Sequence, residues 1–120
     1  MVQDRTRVYL AHRQTYAAFL TATDAEARVA WHRWRGDYPD REQALAGTDA
    51  AYTRTQAAFN VIDLDGLDPV EEARALVECI RGMHTVDDEP EGVWARYTAL
   101  RAAFVEAARQ RLADHLQVRR

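Results

Sequence analysis

The chain predicts an all-α fold, an antiparallel up-down four-helix bundle formed as a single domain over residues 1–120. Three observations carry that expectation. Apolar side chains recur at three- and four-residue spacing in four separate stretches. The composition is built from strong helix formers, with abundant alanine and with arginine at all 16 basic positions. The stretches are separated by short Gly- and Pro-containing breaks, which are long enough only to join antiparallel neighbours.

The first helix is expected from about Asp4 to Trp34, with Tyr9, His12, Tyr16, Phe19, Thr23, Ala27, Ala30, Trp31 and Trp34 forming its stripe. Thr23 and Glu26 have the spacing of a capping box, so a kink or restart is expected there. Gly36-Asp37-Tyr38-Pro39 ends the pattern. A second helix is expected to begin near Asp40, with Gln43 as its box partner and Leu45, Thr48, Tyr52, Thr55, Phe59 and Ile62 facing inward. Gly47 weakens its first turns enough to predict a separate short helix there.

Asp63-Leu64-Asp65-Gly66-Leu67 reads as a turn. Asp68-Pro69-Val70-Glu71 then reads as a helix start, Asp68 capping, Pro69 in the first position and Glu71 reaching back. Val70, Ala73, Val77, Ile80 and His84 line this third helix, with Leu76 and Met83 beside them. An acidic loop, Asp87-Asp88-Glu89, precedes Pro90 and Glu91, which are expected to open the last helix. Its stripe is Val93, Tyr97, Leu100, Phe104, Ala108, Leu112 and His115, and the Arg119-Arg120 end suits the negative pole of its dipole.

The composition removes several chemistries. There is no lysine, hence no Schiff base and no phosphate-loop lysine, and no serine, hence no Ser-His-Asp nucleophile. Cys79 stands alone, which excludes a disulfide framework. No signal-type leader opens the chain and no apolar run reaches membrane-spanning length, so a cytoplasmic protein is expected. The net charge of -3 gives no general attraction to nucleic acid. Arg in place of Lys and Ala in place of Ser also fit a GC-rich bacterial genome.

Two resemblances accompany these readings. The run Leu100-Arg101-Ala102-Ala103-Phe104-Val105-Glu106-Ala107-Ala108-Arg109, after the Asp68-Pro69 helix start, resembles the ending of small Ala/Arg-rich helical proteins of actinobacteria. That likeness covers the C-terminal half, is largely compositional, and implies a helical fold without an activity. Trp34-Arg35-Gly36 after a long helix is similar to the W-x-G of the WXG100 secretion substrates, which are helical hairpins. Their Y-x-x-x-[DE] signal is not matched, since Arg101 stands four residues after Tyr97, and Gly66 and Pro69 interrupt the second arm.

No catalytic constellation is legible. The four histidines, His12, His32, His84 and His115, are far apart, and no E-x-x-H occurs, so no metal site and no cofactor are expected. Asp63-x-Asp65-Gly66 lacks the remaining ligands of a calcium loop and reads as a turn. Cys79, one step off the apolar stripe, reads as an inert thiol, and Arg35-Gly36-Asp37 as helix termination.

The one spatial cluster is aromatic. In an alternating bundle the end of helix one, the start of helix two, the end of helix three and the start of helix four meet. Trp31, Trp34, Arg35, Tyr38, His84, Trp94 and Tyr97 are therefore expected at that end as a partner-binding surface, with Met83 among them and His32, Arg33 and Arg81 at the rim. At about 45 Å, helix one exceeds helix three at about 24 Å, so it is expected to overhang its neighbours there. The function expected is a non-enzymatic interaction protein that associates with itself or another protein, with a small-molecule-binding bundle as the alternative and a secretion substrate behind it. The opposite end gathers His12, Asn60 and His115. Inward hydroxyls of Tyr16, Tyr52, Thr55 and Tyr97 would make any core cavity partly polar.

Overall fold

The computed structural model describes residues 2–116, with side chains from residue 4 onward. Four helices follow one another: α1 (Val2–Arg35), α2 (Arg41–Leu64), α3 (Val70–Met83) and α4 (Val93–Leu116). Arg119 and Arg120, expected to act at the end of α4, lie outside the described residues.

Cross-helix bonds fix the topology. His12 meets His115 and Asp24 meets Arg101, so α1 and α4 are antiparallel. Glu26 meets Arg81 and Arg33 meets Met83, so α1 and α3 run the same way across the diagonal. Arg81 reaches Gln56 while Arg74 reaches Asp63, so α2 and α3 are antiparallel. Among the described residues α1 and α3 each touch all three other helices, whereas α2 and α4 do not touch. The bundle is thus an up-down four-helix bundle flattened along one diagonal, the one that α1 and α3 share.

The core is aromatic at its centre. Phe19 and Phe104 are fully buried with ring centroids 5.0 Å apart, and Tyr16 meets Phe104 edge-on at 5.8 Å. Ile62, Leu76, Ile80 and Met83 close around them.

Two turns end as their glycines require. Gly36 at φ 72° lets Gly36 N donate to Arg33 O and Asp37 N to His32 O, the paired bonds of a Schellman motif. Gly66 at φ 58° repeats the arrangement, with Gly66 N on Asp63 O and Leu67 N on Ile62 O. Leu67 is thereby returned to the core. A residue with a Cβ disfavours that left-handed conformation.

Several sequence expectations are corrected. α1 runs unbroken through Thr23 and Glu26: Thr23 Oγ1 bonds back to Leu20 O, and Glu26 turns into the bundle. α2 is one helix despite Gly47, starting where Asp40 Oδ1 accepts from Gln43 N at 2.8 Å. Leu45 and Tyr52, expected inside, are 55% and 45% exposed, because Ala51 and Thr55 take the inward face.

At the start of α3, Pro69 occupies the cap and Asp68 makes no side-chain cap bond; Glu71 pairs with Arg74 instead. The last helix opens at Val93, after a turn in which Val93 N bonds Pro90 O. Gly66 and Pro69 divide the chain into four helices, so the two-helix hairpin implied by the W-x-G likeness is not adopted.

The overhang also lies at the other end. Near Trp34 the loop after α3 covers α1, since Arg33 Nη2 donates to Met83 O and Val86 O at 2.6 and 2.8 Å. At 34 residues, α1 instead projects beyond its neighbours at its N-terminus, where Val8 and Leu10 are exposed. The cause is length: α3 spans only 14 residues, and the loop that follows it folds back over the aromatic end.

Candidate functional site

The residues expected at the aromatic end separate into three groups. Trp34, Trp94 and Tyr97 form an inward ladder, with centroid spacings of 5.9 Å and 6.1 Å and nearly perpendicular rings. Their polar atoms have internal partners. Trp34 Nε1 donates to Val86 O, Trp94 Nε1 to Glu89 Oε1, and the Tyr97 hydroxyl meets Asp24 Oδ1. Glu89 Oε1 also meets Arg35 Nη1 at 3.3 Å, so one loop carboxylate ties the end of α1 to the start of α4.

Trp31, Arg35 and Tyr38 face outward. The Arg35 guanidinium lies 4.8 Å over the Trp31 ring, and His32 stands edge-on to Trp31 at 5.0 Å and to Tyr38 at 6.3 Å. Trp31 is 38% exposed, and its indole N–H meets no acceptor among the described residues. The strip is set by the α1–α2 turn: the Gly36 motif brings Asp37 Oδ2 to 2.8 Å from His32 Nδ1, and Tyr38 lies beside Gly47 of α2.

His84 belongs to neither aromatic group. Its Nε2 lies 2.8 Å from Glu26 Oε2 in the interior, and a carboxylate can only accept, so Nε2 carries the proton. Arg81 Nε meets the same oxygen at 3.1 Å, then extends Nη1 to Gln56 Oε1 and Nη2 to Tyr52 O, with its guanidinium 3.5 Å over the Tyr52 ring.

Glu26 is completely buried. Burial alone would push its carboxyl up. The His84 imidazole and the Arg81 charge outweigh that and hold it below the usual carboxylate range. Two buried atoms of this cluster have no partner, Glu26 Oε1 and His84 Nδ1. A cleft of ≈ 410 Å³ opens beside it, lined by Arg33, Arg41, Leu45, Thr48, His84 and Asp87 among others.

Sequence reasoning placed Arg33 and Arg81 at a rim and missed Glu26, Arg41 and Thr48 as a group. One signal was present. Glu26 lies three residues after Thr23 on the stripe of Tyr16, Phe19 and Ala30, a charged residue at an inward position.

The opposite end holds the expected histidine pair, His12 Nδ1 lying 2.8 Å from His115 Nε2. Burial and the neighbouring His115 lower the His12 pKa. Asn60 is not part of it, because it accepts from Gln56 on the exposed face of α2. The inward hydroxyls line no shared space. Tyr16 donates to Asp68 O, Thr55 donates to Ala22 O, and Tyr52 is exposed. Cys79 is buried, and burial pushes its thiol up, away from the thiolate.

No group of three or more His, Cys, Asp or Glu side chains poised to hold a metal ion occurs among the described residues. Among them, too, no helix is long and apolar enough to cross a membrane. The fold and these clusters define a small helical bundle with an aromatic surface strip and a buried carboxylate–imidazole pair beside a cleft. No known protein family matches the chain, and no curated protein or solved structure is similar to it.

Proposed function

We propose that this chain is an interaction module that associates with a second copy of itself through the strip Tyr38–His32–Trp31–Arg35. One observation carries the reading: Trp31 remains 38% exposed under a stacked guanidinium, while the Trp34 and Trp94 rings pack against the core. Tryptophan and arginine dominate interface energetics, because a large rigid apolar area and a planar donor array lose little entropy on docking. The rim favours a second copy. It carries both signs, Arg35 beside Glu89, so a two-fold operation can set each against its opposite in the second copy.

Sedimentation equilibrium over a wide concentration range tests this. The expected result is a dimer that Trp31→Ala weakens by at least about 2 kcal/mol, roughly thirtyfold in Kd, with unchanged helical content. A wild-type chain that stays monomeric at every concentration rejects the reading. So does a dimer indifferent to Trp31→Ala.

A further inference from the structure

We propose that the cleft between the end of α1, the start of α2 and the end of α3 binds a small organic monoanion, a carboxylate on a short apolar body. Its wall brings together two guanidinium groups, an imidazole and one carboxylate: Arg33, Arg41, His84 and Asp87. The arginines and Asp87 sum to one positive charge, which matches a singly charged anion better than a dianion.

Donors are available. Arg33 spends Nη2 on Met83 O and Val86 O, which anchors the side chain and leaves Nη1 and Nε for a ligand. Arg41 has no partner among the described residues. Thr48 Oγ1 spends its proton on Ala44 O and adds no donor, while exposed Leu45 supplies the apolar wall. A volume of ≈ 410 Å³ lies within the range of small-molecule sites.

The interior supports the same assignment. Of the two buried atoms without a partner, Glu26 Oε1 can only accept and so cannot meet an anion, which leaves His84 Nδ1. Buried polar atoms without partners are rare in a settled fold, since each costs desolvation without return. His84 connects the buried carboxylate to the cleft, its Nε2–H held by Glu26. With that bond fixed, Nδ1 carries a lone pair in the neutral ring and an N–H in the imidazolium. Only the imidazolium offers that N–H to an anion. The charges facing this ring are Glu26 and Arg33 from α1, Arg41 from α2, Arg81 on its own helix and Asp87 from the loop.

Sodium benzoate is the probe, with benzamide as its neutral counterpart and inorganic sulfate as the dianionic one. Amide NMR shifts and titration calorimetry on the full chain read the binding. Benzoate is expected to shift the amides of Ala44, Thr48 and His84 saturably at roughly millimolar concentration.

Arg41→Ala, on the exposed surface, is expected to weaken benzoate about tenfold, the loss of one charge-assisted contact, while the thermal midpoint holds. Equal binding of benzamide, tighter binding of sulfate or an affinity indifferent to Arg41→Ala would each overturn the proposal. Because Arg41 and Thr48 lie off the Trp31 strip, failure here leaves the self-association reading intact, and the reverse holds.

Discussion

Asp24 and Glu26 stand two residues apart on α1, each paired with an arginine from another helix, and their surroundings could hardly differ more. Asp24 is 36% exposed and receives a fork of two bonds, Arg101 Nε on Oδ1 and Arg101 Nη2 on Oδ2, both at 2.8 Å, with the Tyr97 hydroxyl added. Both of its oxygens are satisfied. Glu26 is fully buried, gives one oxygen to both Arg81 and His84, and leaves the other without a partner. The Asp24 group is a closed clasp between α1 and α4. The Glu26 group is an open network between α1, α2 and α3, beside the cleft lined by Arg33, Arg41 and His84.

The contrast teaches that pairing alone does not mark a site. In both groups burial pushes the carboxyl up and the bonded partners pull it back below the usual range. The sign of the shift is therefore the same for a structural clasp and for a candidate site. What separates them is the unspent valence at Glu26 and His84.

The comparison breaks most sharply at Glu26. Glu26→Ala is expected to cost about 3–5 kcal/mol, since it strands Arg81 and His84, which are only 20% and 14% exposed, without their countercharge. Urea denaturation measures this. Replacing the group together, as Glu26→Leu with Arg81→Met and His84→Leu, is expected to restore stability to within about 1–2 kcal/mol of wild type while abolishing benzoate binding. A triple variant that still binds benzoate would separate the cleft from the buried pair.

The Asp24 clasp should respond less. Asp24→Ala is expected to cost about 1 kcal/mol, because water screens a pair that is more than a third exposed. A loss as large as that of Glu26→Ala would erase the distinction drawn above.

Acidity sharpens it further. Each carboxyl binds its proton less tightly folded than unfolded, so each stabilises the fold above the unfolded value near pH 4. That contribution is lost as pH falls through the lowered folded values. His12 acts in a higher window. Its folded pKa is also lowered, so the unfolded chain takes up a proton first as pH falls through about 6.5, and stability begins to decline there. Urea midpoints against pH should show two limbs: His12→Gln removing the upper one, Asp24→Asn and Glu26→Gln each flattening the lower. The smallest effect expected is Arg101→Lys, about 0.5 kcal/mol, from losing the planar fork at a partly exposed pair.

Much of the fold was legible before any coordinates. The inward stripes of α1, α3 and α4 follow from spacing alone, as do the turns at Gly36 and Gly66 and the cap at Asp40. Where local signals misled, a tertiary partner had claimed the residue. Glu26 has the spacing of a cap partner for Thr23, but Arg81 and His84 draw it into the interior. Asp68 has the chemistry of a cap, yet its carbonyl receives Tyr16 and its side chain caps nothing.

The aromatic end was legible as a set and not as an arrangement. Periodicity places Trp31, Trp34, Trp94 and Tyr97 at one level of the bundle. It does not say which rings face inward, because that depends on how α1 is rotated against α4 and on the path of the 84–92 loop.

The sequence by itself therefore determined what is local: four helices, the turns at Gly36 and Gly66, the alternation of the helices and the chemistries absent with lysine and serine. Only the tertiary structure decided that α1 and α3 meet across the diagonal while α2 and α4 do not, that the overhang of α1 is N-terminal, and that Glu26, His84 and Arg81 meet. Those contacts join residues more than fifty positions apart in the chain. Hydrogen bonding along a helix is a property of neighbours, whereas the burial and pairing of a charge depend on which distant side chains packing brings to it.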